Sequence, residues 1–159
     1  MFADIIAFFV YSYLGATLES SAYWITGKTY YYQLLNPVIS AFPLYGIGAY
    51  ALIYLNYLMD YMGLNKLNIL LQIIAKLIIF GLAASVIEYI TGKYFSNAGR
   101  TNNPSCIISD WNYSNEAWNI DGIVSVEHFV MWGILGIAIT YIHPYLMQFI
   151  NNGLYCTNT

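Results

Sequence analysis

The chain has 159 residues, 59% of them hydrophobic and only 8% charged, with a formal net charge of −3 and a mean hydropathy of +0.55. A soluble domain carries about 25% charged residues, so five Lys plus Arg and eight Asp plus Glu cannot cover a water-facing surface of this size. The composition reads as an integral, all-α membrane protein, and the lack of any basic cluster excludes nucleic acid as a partner.

The N-terminal stretch MFADIIAFFVYSYLGATLESSAYWITGK has no basic n-region, carries Asp4 and offers no small-x-small cleavage site ahead of its first charges. It therefore reads as a first membrane helix, near 4–26, and not as a removed signal peptide. Crossing ~30 Å of hydrocarbon takes about 20 helical residues, and three further stretches, near 39–60, 67–92 and 121–143, satisfy this. The expected fold is thus a single transmembrane domain over 1–159 with four transmembrane helices. Gly27-Lys28 ends the first helix, Asn36-Pro37 precedes the second, Met62-Gly63-Leu64-Asn65 separates the second from the third, and Gly92-Lys93 ends the third. His143-Pro144 is expected to end or kink the fourth, leaving YLMQFI as a short interfacial piece before the polar tail NNGLYCTNT.

Between the third and fourth helices lies one sizeable loop, roughly 94–120, reading YFSNAGRTNNPSCIISDWNYSNEAWNI. It is too polar and too punctuated by Pro and Gly for a fifth span. Its Trp and Tyr residues, which favour the membrane interface, argue for an ordered loop, and loops of this length are usually functional or disordered.

The two halves resemble copies. GATLESSAYWITGK followed by FPLYGIGAYALIYL compares with GLAASVIEYITGK followed by FVMWGILGIAITYI. Both halves share a helix bearing a glutamate, the tetrapeptide ITGK, and a second helix with an aromatic-Gly step, Tyr45-Gly46 or Trp132-Gly133. Two helices per unit would place both copies in the same orientation, a parallel repeat; convergent use of a helix-ending TGK is the alternative. Lys28, Lys93 and Arg100 lie on one side and Lys66 on the other, which by the positive-inside rule puts both termini outside the cytoplasm. Cys106 and Cys156 then face opposite sides and cannot pair, and the sequon Asn112-Tyr113-Ser114 faces the cytosol.

Positions three and four apart share a helix face. Ser12, Gly15, Glu19, Ala22 and Thr26 form one such stripe, and Gly81, Ala84, Ser85, Glu88 and Gly92 form its counterpart. Small residues around an acid let helices approach and supply hydrogen-bond partners away from lipid, so both glutamates are expected to face the interior. On the fourth helix Asp121, Ser125, His128, Trp132 and Gly136 share a face, which turns His128 inward and Glu127 aside. Lys76, midway along the third helix, is expected to snorkel toward the far interface. Ionisable residues inside a membrane mark ion, proton or substrate sites by default. Mutual hydrogen bonding that merely locks the helices is the competing explanation. No Walker A, GxSxG or HExxH pattern and no cysteine pair at metal-ligand spacing occurs, so neither a cofactor nor a metal is expected.

Four segments carry a family resemblance: YSYLGATLE at 11–19, NPVISAFPLYGIG at 36–48, IEYITGKYF at 87–95 and DWNYSNEAWNIDGIVSVEHFVMWG at 110–133. With them the chain resembles the small multi-pass membrane proteins described as putative ABC-transporter type IV (CmpB-like). Asn112 departs from the family pattern, where an acid is commoner, as do Glu127 and His128, where small or hydroxyl residues are expected. The resemblance implies a transport-related protein and groups Glu19, Glu88, Trp111, Tyr113, Asn119, Gly122 and Trp132 into one site.

The reading that results is a small permease or channel with an acidic polar interior, whose substrate- or ion-binding residues are Glu19, Glu88, His128, Trp111, Tyr113 and Asn119. Membrane lipids and further copies of the chain are its expected partners, and nothing in the sequence supports an ATPase partner. Two alternatives stand beside it. One is a membrane-embedded lipid-binding or lipid-modifying protein using Glu88, Asp110 and His128 for acid/base work. The other is an accessory subunit without chemistry.

Overall fold

The computed structural model describes residues 2–25, 42–95 and 113–155. The expectations placed on Thr26 to Lys28, Asn36-Pro37, Arg100, Cys106, Asp110, Trp111, Asn112 and Cys156 lie outside these residues. Among the described residues the secondary structure is helical, with α1 (Phe2–Ile25), α2 (Phe42–Tyr61), α3 (Ile69–Phe95) and α4 (Val126–Tyr155), and an isolated bridge between Ile120 and Val124.

The connection from α2 to α3 follows from its residues. Gly63 takes φ 90°, a left-handed conformation that ends α2 after Tyr61 and that a side chain would resist. A single 3₁₀ turn, Leu64–Lys66, follows. Asn68 then caps α3, its Oδ1 accepting the backbone N–H of Leu71 at 3.0 Å. The Gln72 amide donates to the carbonyls of Asn65 (3.2 Å) and Leu67 (2.7 Å), fastening the turn to the helix it precedes.

The fourth helix differs from expectation at both ends. It begins at Val126 because Asp121 (φ 55°) and Gly122 (φ 67°) are left-handed and cannot be helical. It does not stop at Pro144 but runs through it to Tyr155. Proline lacks only its own N–H and clashes with one preceding carbonyl, a cost of about 3 kcal/mol that a long helix can carry. The stretch YLMQFI is therefore the continuation of α4 and not a separate interfacial piece.

The four expected spans are also corrected. Among the described residues two helical stretches, Ile69–Tyr94 and Val126–Leu154, are long and apolar enough to cross a membrane, while the apolar part of α1 covers only Phe2–Leu18. In α2 five tyrosines with Asn56 and Asp60 dilute the apolar stretch. Along α3 the apolar residues Leu70, Ile74, Ile78, Leu82, Val86, Ile90 and Tyr94 are all exposed, a row at every fourth position from one end to the other.

The chain divides into two compact units, with boundaries inside α2 and α4: residues 1–51 with 141–159, and residues 52–140. In the first unit Ala3, Ala7 and Tyr11 form a buried row on α1 at four-residue spacing. Gly15 lies against the Tyr45 ring, where an added Cβ would come within 2.5 Å, and Gly46 lies against Ser12 and Phe8. Tyr11, Tyr50 and His143 form a ring cluster with centroids 5.9–6.4 Å apart. It is pinned by Tyr11 Oη to His143 Nδ1 at 3.1 Å and by the Tyr50 hydroxyl donating to the Asp4 carbonyl at 2.8 Å.

In the second unit Leu52, Met59 and Phe80 form the apolar core, flanked by Leu55, Leu64, Ala75, Ile79, Ala83 and Ile137. Close packing of α3 on α4 again depends on glycine. An added Cβ would lie 2.5 Å from the Leu77 carbonyl oxygen at Gly133, 2.6 Å from the Phe129 carbonyl oxygen at Gly81, and 2.8 Å from the Phe80 ring at Gly136.

Candidate functional site

Within the second unit this close approach brings α4 side chains onto the α3 face that carries Glu88. Glu88 is 4% exposed. Trp132, one residue before Gly133, donates its indole N–H to Glu88 Oε2 at 3.1 Å. The other carboxylate oxygen, Oε1, accepts the hydroxyl of buried Tyr113 at 3.1 Å. Burying a carboxylate costs several kcal/mol, and hydrogen bonds to a charged group return about 1.5–3 kcal/mol each. The donors thus offset much of what burial takes away. Neither donor carries a charge, so the site concentrates hydrogen bonds without adding a cation from these two side chains.

Tyr113 arrives by way of a tightly folded turn, residues 113–125. Its backbone closes through Tyr113 N–H to the Gly122 carbonyl (2.8 Å), Glu116 N–H to the Tyr113 carbonyl (2.9 Å) and Ile120 N–H to the Val124 carbonyl (2.9 Å). Asn119 holds the turn from inside. Its amide donates to the carbonyls of Glu116 (2.8 Å) and Ser114 (3.3 Å), and its Oδ1 accepts the Gly122 N–H (3.0 Å). The short side-chain amide can bond its own backbone in this way, which suits asparagine to such turns. Ile123 packs on Gly92 and so seats the turn at the end of α3.

A second polar cluster fixes the plane of Tyr113. The ring stacks on His128 with centroids 3.8 Å apart and an interplanar angle of 20°. His128 Nδ1 lies 3.1 Å from Glu116 Oε2 and 2.9 Å from Ser125 Oγ, and the Ser125 hydroxyl donates to the same Glu116 oxygen. A proton on Nδ1 satisfies all three groups together. Ser125 Oγ also approaches the His128 backbone N–H at 3.4 Å, a long capping contact at the start of α4.

At the exposed edge of the turn, Lys93 Nζ and Asp121 Oδ2 are 2.9 Å apart, and the Tyr89 hydroxyl donates to the same oxygen at 2.7 Å. The hydrogen bond from Lys93, then that from Tyr89, hold the Asp121 carboxyl below its ordinary value. Both partners of the ion pair are about half exposed, so water screens it and its energetic worth is small.

Of the residues expected to form one site, Glu88, Tyr113 and Trp132 meet directly. His128 and Asn119 stand one step back: His128 orients the Tyr113 ring, and Asn119 organises the turn that delivers it. Glu127 is exposed beside inward-turned His128. The α1 backbone includes position 19, but the Glu19 side chain, like Trp111, lies outside the described residues. Lys76 is half-buried, with no ion pair among the described residues.

One participant, Glu116, was missed by sequence reasoning. Glu116 carried a usable signal, being the acid three residues before Asn119 in a loop dense with turn formers, yet Asp110 drew the attention as an acid/base candidate. In the first unit, outside this site, His143 is buried on Tyr11, a role that its place beside Pro144 does not announce.

Among the described residues no group of three His, Cys, Asp or Glu is placed to hold a metal ion. Neither the curated proteins nor the solved structures hold a match to this chain. One family model does match, over residues 6–156 and so across nearly the whole chain, including α1 to α4 and the 113–125 turn. With the buried glutamate, its aromatic donors and the glycine-packed helices all inside the matched span, the chain belongs to the family described as putative ABC-transporter type IV.

Proposed function

We propose that this protein is a multi-pass integral membrane protein with a transport-related role, a small permease or channel whose functional centre is the Glu88 carboxylate with its Tyr113 and Trp132 donors. The observation that carries this reading is a carboxylate buried inside the most apolar helix of the chain, held at both oxygens by a neighbouring helix and by a structured turn. Placing it there costs several kcal/mol. A packing role alone would be served as well by an apolar side chain. The exposed apolar row along α3 supports membrane placement, since a surface of that extent is costly in water. The family description supports transport.

The corresponding glycines support a duplicated helix pair. In the register set by ITGK, Ser12 corresponds to Leu77, and in that set by the aromatic-Gly step, Gly46 corresponds to Gly133. Gly46 packs on Ser12 and Gly133 packs on Leu77. A parallel repeat with both termini outside the cytoplasm, assembled as a homo-oligomer because four helices are few for an alternating-access fold, completes the reading. These 159 residues contain no Walker A motif, so they do not themselves supply coupling to ATP.

The test is flux of protons, sodium and potassium into vesicles reconstituted with wild type or Glu88→Gln, which keeps the shape and one acceptor oxygen but removes the acid. Wild-type flux for one of these ions, lost in the variant, supports the proposal. Absence of flux for all three in wild type counts against it. A second reading, the accessory subunit, draws on the fact that both oxygens of Glu88 already accept hydrogen bonds. It predicts that Glu88→Gln lowers thermal stability and changes nothing else.

A further inference from the structure

The 113–125 turn holds one side chain in a manner that its own packing does not require. Trp118 is 84% exposed, and its φ of 57° is left-handed, a conformation that costs a non-glycine residue roughly 1–2 kcal/mol. Ile120, two residues on, is 59% exposed. The turn beneath is not loose, since Asn119 ties it at three points and Lys93 clasps it at Asp121. A rigid scaffold thus presents an indole and an apolar side chain outward.

The height of this display is fixed by α3. Ile123 rests on Gly92, and Lys93 pairs with Asp121, so the turn sits against the last residues of the apolar stretch Ile69–Tyr94. At 1.5 Å per residue that stretch is about 39 Å long, longer than the ~30 Å of hydrocarbon in a bilayer. The excess length, with the charged Lys93–Asp121 pair at this end, suits its last turn to the headgroup layer. The exposed apolar row of α3 leads to the same level and ends at Tyr94, which is 78% exposed. Trp and Tyr favour this depth, where an apolar ring body meets an N–H or O–H that needs water or a polar headgroup.

From this placement we infer that Trp118, with Ile120 and Tyr94, is an interfacial anchor that seats the 113–125 turn in the headgroup boundary of a phospholipid bilayer. The inference rests on the membrane placement proposed above. Its consequence is local: the bilayer itself presses on the turn that delivers Tyr113 to Glu88.

The experiment compares wild type with Trp118→Phe in phosphatidylcholine vesicles, so that the difference in emission isolates Trp118 from the other three tryptophans. Acyl chains brominated near the headgroup end should quench that difference emission strongly. Chains brominated near the methyl end should quench it less, and aqueous acrylamide should have little effect. Difference emission at the water-exposed wavelength and quenched by acrylamide alone overturns the anchor. So does emission quenched by neither agent, which would place a second protein surface over Trp118. Extraction by alkaline carbonate separates the two levels of failure: release of wild type from the vesicles sinks the membrane reading, whereas a retained protein with water-exposed Trp118 sinks the anchor alone.

Discussion

The two units bury polar groups by the same packing device and to different ends. In the first, Gly15 and Gly46 let α1 and α2 close on each other, and the buried polar contact is His143 between two tyrosine rings. In the second, Gly81, Gly133 and Gly136 close α3 on α4, and the buried group is a carboxylate whose donors come from α4 and from a turn outside the helices. A ring cluster is satisfied by its own helices and behaves as part of a core. A carboxylate that depends on a turn is linked to whatever moves that turn. The comparison teaches that glycine-mediated close packing is the shared scaffold and that the second unit adds a buried carboxylate to it.

The comparison can be broken most severely at the scaffold. Gly133→Val places a side chain 2.5 Å from the Leu77 carbonyl oxygen, backbone that cannot step aside. We expect a loss of at least about 3 kcal/mol, measured as a large fall in thermal midpoint in detergent or as failure to fold. Glu88→Ala comes next. It leaves the Tyr113 hydroxyl and the Trp132 N–H without their acceptor, and unsatisfied buried donors cost about 1–3 kcal/mol each. The fall in thermal midpoint should exceed that of Tyr11→Phe, where one hydroxyl is lost from the His143 cluster and about 1–2 kcal/mol is expected. If the two falls are equal, the distinction between the units loses its energetic basis.

Smaller effects sharpen the same contrast. Gly48 has no atom within 4 Å of an added Cβ, unlike Gly46 two residues earlier. Gly48→Ala should raise stability by about 0.5–1 kcal/mol through the lower entropy of the unfolded chain, whereas Gly46→Ala should lower it. The smallest effect belongs to the turn's outer clasp. The Asp121 carboxyl is depressed by Lys93, so its contribution is present above the unfolded value of 3.8 and is lost as pH falls through the lower folded value. Thermal midpoints of wild type and Asp121→Asn should therefore differ slightly at pH 7 and converge in acid below pH 3.8; a gap that widens in acid would contradict this assignment.

Much of the arrangement could be read from residue spacing. The small-residue stripe around Glu88, the inward turn of His128 and the helix pair flanking Gly63 all follow from a 3.6-residue period and from glycine placement. What spacing could not supply was the path of the turn. Whether Asn119 faces a ligand or its own backbone depends on left-handed residues at 118, 121 and 122; Gly122 signals that conformation strongly, Asp121 weakly and Trp118 not at all. Pro144 does not end the helix, for a related reason: it forbids one hydrogen bond, and a long helix tolerates that loss. Membrane length was overstated in α2 because aromatic residues look apolar in a pattern but are amphipathic, and five tyrosine hydroxyls are spread along it.

The central claim is that the carboxylate of Glu88 is retained for function and not for packing. Its most direct test sets ion flux beside thermal stability for Glu88→Gln in the same reconstituted preparation. The account predicts that flux is lost while the thermal midpoint changes little, since the glutamine oxygen can accept the Trp132 N–H and its amide can donate to the Tyr113 hydroxyl, which accepts as well as donates. Unchanged flux together with a lowered midpoint would contradict it and leave Glu88 as a lock between α3, α4 and the turn.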